Sequence, residues 1–176
     1  MIIKGYHTLE DQGNVDKVEA NGPVKCTDHR AWLGDGYYFW DSDIYWAHFW
    51  GKKDYAEYMI FVAEIEINEK TYDLVGNIAT KLEFLEMMEE IKGTDYLEPG
   101  EEITVPKMIA YLKKYVGFEY NSIRAADYPR DAIRVNFGDN RPEFMFLGER
   151  VQVCLLTKEN LLLQSFRCIH PEEYLN

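Results

Sequence analysis

The stretch "WLGDGYYFWDSDIYWAHFW", residues 32–50, contains all four of the chain's tryptophans and a Gly34-x-Gly36 pair. Its middle, Gly36 to Trp40, reads as a β-strand: aromatic residues that suit a pleated surface, bounded by Gly and Asp. Asp41, Ser42 or Asp43 then offers an N-cap, so a helix is expected through about Asp54. A strand that turns at once into a helix places alternate aromatic side chains on opposite faces of a sheet. Part of this stretch therefore belongs to a core. The remaining rings need another explanation.

Working outward, residues 1–7 read as a short strand. A long polar segment from Asp11 to Trp32, rich in Gly, Asn and Pro, is expected as a surface loop. "YMIFVAEIEI" (58–67) is the longest strand candidate, continuously apolar at its start and alternating at its end. "KLEFLEMMEEIKG" (81–93) and "TVPKMIAYLKKYVG" (104–117) read as helices. The first has Leu82, Leu85, Met87 and Met88 on its apolar side and Gly93 as a stop; the second has Pro106 near its first turn. "FEYNSIRAA", "EFMFLG", "RVQVCLL" and "LLLQSFRCI" complete the pattern as strands. The expected fold is one α+β domain over residues 1–176, mostly antiparallel, with helices on one side.

Composition narrows the function classes. A formal net charge of −12 opposes general coating of nucleic acid. The cysteines are Cys26, Cys154 and Cys168; the odd number and the absence of a Cys-x-x-Cys pair imply reduced thiols. The first residues are too short and polar for a secretory core, and no apolar run approaches membrane-spanning length. These features lead to the expectation of a soluble, cytoplasmic protein. Cys26-x-x-His29 and Cys168-x-His170 do not form a standard zinc pattern, so no metal is expected. No Walker motif, dinucleotide fingerprint or nucleophile elbow is present.

Several short segments carry a resemblance. Gly36-Tyr37-Tyr38-Phe39 resembles the Gly-x-Tyr-Phe strand of ADP-ribosyltransferases related to the poly-ADP-ribose polymerases and diphtheria toxin. Ala47-His48-Phe49, ending eleven residues after Tyr38, is similar to the small residue and aromatic on the helix that follows that strand. Upstream, Gly5-Tyr6-His7-Thr8-Leu9 resembles the family's His-Gly-Ser/Thr strand. Downstream, residues 151–166 resemble the strand bearing the third family residue, usually Glu. "YDLVGNIATKLEF" (72–84), the aromatic stretch and the Gln152 strand are also similar to bacterial members of the same superfamily.

The resemblance implies an ADP-ribosyltransferase-like split antiparallel sheet with a cleft for NAD as co-substrate. It implies an enzyme that breaks the nicotinamide–ribose bond through an oxocarbenium-like transition state and transfers one ADP-ribose to a macromolecule; the net charge of −12 favours protein over nucleic acid as that acceptor. Tyr38 and Phe49 would sandwich nicotinamide, beside Thr8 and Ala47. His7 would bind a ribose hydroxyl. Gln152 would hold the ribose near the reacting carbon, with Glu149 as the alternative acid. A toxin or phage-conflict role, with an antitoxin or immunity partner, comes with the resemblance. Three positions depart from the family: Thr8 replaces a glycine, Trp46 stands where many relatives have a small hydroxyl residue, and Gln152 replaces the catalytic Glu. The alternative is a non-catalytic NAD- or ADP-ribose-binding or interaction module that kept the cleft. Trp32, Trp40, Trp46 and Trp50 are assigned to core or rim.

Overall fold

The computed structural model describes residues 1–29, 31–129, 133–139 and 142–175. The chain runs β1 (Ile2–Glu10), α1 (Val15–Asn21), β2 (Tyr37–Asp41), α2 (Ile44–Asp54), β3 (Tyr58–Glu66), β4 (Thr71–Asp73), α3 (Ile78–Lys92), α4 (Val105–Tyr111), β5 (Ser122–Asp127), β6 (Ile133–Asn136), β7 (Phe144–Leu147), β8 (Arg150–Leu155) and β9 (Leu161–His170). Seven strands form one sheet in the order β4-β5-β8-β2-β1-β3-β9, and β6 and β7 form a separate hairpin. The fold is mixed α+β. All neighbours in the large sheet are antiparallel except β4 and β5, which run parallel.

The strand-to-helix reading of residues 36–54 holds. Asp43 caps α2, its carboxylate accepting from the Tyr45 N–H at 2.9 Å. Alternation along β2 sends Phe39 to one face of the sheet, where it packs with Val153, Phe61, Ile65 and Phe166. Tyr38 and Trp40 go to the other face. There α2 covers Trp40 and Ile60 with Ala47, while α4 and its π-helical extension (Leu112–Val116) cover Tyr72, Ile123 and Cys154.

Four expectations need correction. The split expected in the sheet is local, since its seven strands are continuous. β1 and β2 pair only at Gly5/Asp41 and Tyr6/Trp40, although β1 runs on to Glu10. The cleft opens on one face at that divergence. Second, the helices do not all lie on one side, because α1 packs against the Phe39 face.

Third, the segment from Asp11 to Trp32 is not merely a loop. It contains α1, whose Val18 is buried in the main core, and Glu19 accepts from the Cys168 N–H of β9. Two valines three residues apart, Val15 and Val18, in a short polar, Gly-flanked run are too weak a periodic signal to read as a helix. Fourth, α3 packs through Phe84, Met87, Met88 and Ile91 against α4 and leaves Leu82 and Leu85 largely exposed, at 55% and 56%. No helix among the described residues is long and apolar enough to cross a membrane.

Gly36 is required by close approach. A Cβ there would collide with the Cys154 thiol and lie 2.6 Å from the Leu155 carbonyl oxygen. Gly36→Ala should therefore destabilise the protein by about 1–3 kcal/mol, the range for overpacking, in urea unfolding. An unchanged midpoint would show that β2 and β8 can separate there at no cost. Deleting residues 14–22 should lower the melting temperature as well, because it removes Val18 from the core and the Glu19 partner of β9.

Candidate functional site

The divergence of β1 from β2 leaves the Tyr38 carbonyl without a strand partner on that side. A buried carbonyl in this position needs a donor, and His7 supplies it: Nδ1 lies 2.7 Å from the Tyr38 oxygen. The other ring nitrogen, Nε2, lies 3.2 Å from the Val24 N–H. A carbonyl only accepts and an amide N–H only donates, so the ring is the neutral Nδ1–H tautomer. Burial lowers its pKa from the usual 6.5 to about 4, opposed in part by the Tyr38 hydrogen bond.

Around this joint lies a cavity of about 490 Å³. Its walls include His7, Thr8, Tyr38, Phe49 and Gln152, so five of the seven site residues expected from sequence meet in one place. They come from three strands adjacent in the sheet, β1, β2 and β8, and from α2. The expectation for Ala47 and Glu149 is corrected. Ala47 is fully buried beneath the wall, where its carbonyl accepts from the Thr8 hydroxyl at 3.0 Å. The Glu149 carboxylate is turned away from the cavity and accepts from the Tyr128 hydroxyl at 2.8 Å. Regular alternation accounts for this: Gln152 and Arg150 share a face, and Glu149 lies outside the start of β8.

The polar ends of the expected residues already have partners. The Tyr38 hydroxyl accepts from the Leu33 N–H at 2.9 Å and donates to the Gly34 carbonyl at 2.8 Å. That phenol is held protonated, its pKa raised chiefly by burial. The Gln152 carbonyl accepts from the Trp32 indole N–H at 2.5 Å. Among the described residues the Gln152 amide nitrogen has no partner. Tyr38 and Gln152 thus anchor Trp32, Leu33 and Gly34 beside the cavity.

All four tryptophans line the cavity. Trp40 is the floor, its ring centroid 6.3 Å from Trp46 and 6.2 Å from Trp50. Trp46 meets Phe49 edge to face at 5.5 Å, and Trp32 closes the opposite side through Gln152. Sequence reading assigned these rings to core or rim; their i, i+4 spacing on α2 and their register with Trp40 were the available signal for a shared wall. Lys25, Lys53, Arg150, Asp28 and Asp127 also line the cavity and carry no motif that would mark them. Among the described residues no group of three or more His, Cys, Asp or Glu could hold a metal ion.

No protein-family model matches this chain, and no curated protein or solved structure matches it.

The neutral, buried His7 has a measurable consequence. Its folded pKa lies below the unfolded value, so its contribution to stability is complete above about pH 6.5 and is lost as pH falls towards 4. A shift of this size corresponds to ~3 kcal/mol. Burial also lowers His48, which acts in the same direction. Stability measured by urea unfolding between pH 7 and pH 4.5 should fall less steeply in His7→Gln than in wild type, with His48 present in both. Parallel curves would mean that His7 titrates normally.

Proposed function

We propose that this chain is an NAD-dependent mono-ADP-ribosyltransferase: it binds NAD in the aromatic cavity, cleaves the nicotinamide–ribose bond and transfers ADP-ribose to a macromolecular acceptor. The observation that carries the reading is the meeting of His7, Tyr38, Phe49 and Gln152, from four separate parts of the chain, on one cavity. They are the residues that the family resemblance implies for the site. A volume of about 490 Å³ falls within the range of small-molecule sites. Electron-rich indole faces also suit the flat, cationic pyridinium ring of NAD.

The roles within this reading differ from a simple transfer of the family's pattern. His7 has both nitrogens occupied, so it acts by holding β1, β2 and the Val24 segment together rather than as a free hydroxyl ligand. Trp32 joins Tyr38 and Phe49 as a stacking ring, positioned by Gln152. The amide N–H groups of Gln152, without a partner among the described residues, are donors for a ribose oxygen. With no carboxylate at Gln152, charge stabilisation at the reacting carbon is weak and turnover should be slow.

The same observation favours a second reading, a module that binds NAD or ADP-ribose without chemistry. Nicotinamide release separates the two. Gln152→Glu would place a full negative charge beside a developing cationic sugar, so release should rise by tenfold or more, while Gln152→Ala should lower it. Glu149→Gln should leave release unchanged, because that carboxylate faces Tyr128. If wild type and all three variants bind NAD but release no nicotinamide, the binding module replaces the transferase. If none binds NAD, both readings fall.

A further inference from the structure

Arg150 is the best-fixed cation on the cavity wall. Its Nε and Nη2 face the two oxygens of Asp127, at 2.5 and 2.7 Å, a bidentate fork. Its guanidinium carbon also lies 5.6 Å from the centroid of the Trp46 ring. Trp46 in turn donates its indole N–H to the Glu149 carbonyl at 3.2 Å, beside Arg150 in the chain. The plane of the guanidinium is thus held along one edge and faced by a ring, while Nη1 has no partner among the described residues. A guanidinium has five N–H groups, and a carboxylate fork engages two of them.

The surrounding charge reinforces this. The chain's formal net charge is −12, yet among the described residues the cavity wall has three cations, Lys25, Lys53 and Arg150, against two carboxylates, Asp28 and Asp127. One of those carboxylates is already committed to Arg150. An acidic protein that gathers cations around its aromatic cavity favours an anionic ligand there.

We propose that Arg150, oriented by Asp127 and Trp46, is the anion-recognition point of the cavity and that it takes a phosphate of a nucleotide ligand. This inference rests on the NAD reading for the identity of that ligand: the pyrophosphate meets the free edge of Arg150 while the pyridinium lies among the indoles. Asp127 is a positioning residue. It holds the fork and does not touch the ligand. Lysine cannot present the same planar edge, so Arg150→Lys is not a conservative change here.

Titration followed by intrinsic tryptophan fluorescence tests this directly, since all four tryptophans line the cavity. The probes are NAD, nicotinamide riboside, which lacks phosphate, and ADP, which lacks nicotinamide. Wild type should bind NAD at least about tenfold more tightly than nicotinamide riboside, in line with a charge-assisted hydrogen bond. Arg150→Ala should abolish that preference, and Arg150→Lys should lose most of it with an unchanged melting temperature. Asp127→Asn should weaken NAD and ADP but spare nicotinamide riboside, and Asp127→Glu should restore binding. An NAD preference as large in Arg150→Ala and Arg150→Lys as in wild type would overturn the inference while leaving the NAD reading intact. If neither NAD nor nicotinamide riboside binds, the NAD reading fails and ADP decides: binding lost in Arg150→Lys sustains the anion site, and no binding of ADP overturns it.

Discussion

One imidazole makes the cavity compatible with a folded sheet. Opening a cleft between neighbouring strands strands backbone carbonyls in a place that water reaches poorly, and each unpaired group costs free energy comparable to a lost hydrogen bond. Here β1 and β2 separate after Tyr6 and Trp40, and His7 takes the Tyr38 carbonyl on one side while binding the Val24 N–H on the other. The ring is held neutral by its burial, which keeps Nε2 available as an acceptor. Two strands and the segment that roofs the cavity thus share one side chain. His7, expected as a ligand-binding histidine, is a joint of the fold beside the cavity.

The same economy recurs at Tyr38 and Gln152. Each sends an aromatic or amide body into the cavity wall and uses its polar end to hold the Cys26–Gly36 segment. The walls are therefore held by hydrogen bonds, from Tyr38 to backbone groups and between Gln152 and the Trp32 indole, as well as by packing. Charged groups follow a related logic. Arg150 and Asp127 satisfy one another on neighbouring strands, which fixes the guanidinium and leaves part of it facing the cavity. The cavity wall thus combines rings with three cations, Lys25, Lys53 and Arg150, and among the described residues two carboxylates, Asp28 and Asp127.

Much of the fold was legible because its signals are local. The Gly36–Asp54 strand-to-helix turn is written in ring content and in the cap at Asp43. The long strand at Tyr58–Glu66 is written in unbroken apolarity. Elements defined by a few partners were not legible: α1 depends on Val18 and Glu19 meeting β9, and the three-residue strand β4 exists because Thr71, Ser122 and Asn160 form a buried hydrogen-bonded cluster. The apolar side expected for α3 is half right: Met87 and Met88 pack with Ile91, while Leu82 and Leu85 have the spacing but stay largely exposed.

The site divides the same way. The family resemblance singles out His7, Tyr38, Phe49 and Gln152; strand alternation adds only that Tyr38 and Gln152 lie opposite their apolar neighbours. Whether their polar ends are free or engaged is a matter of distances between segments remote in sequence, and only the tertiary structure decided that. It also decided that Ala47 lies under the wall, that Glu149 turns to Tyr128, and that the four tryptophans share one cavity with Arg150 and Asp127. Periodicity reports which way a side chain leaves its own backbone; what it meets there depends on how strands β1, β2 and β8, α2 and the Cys26–Gly36 segment converge.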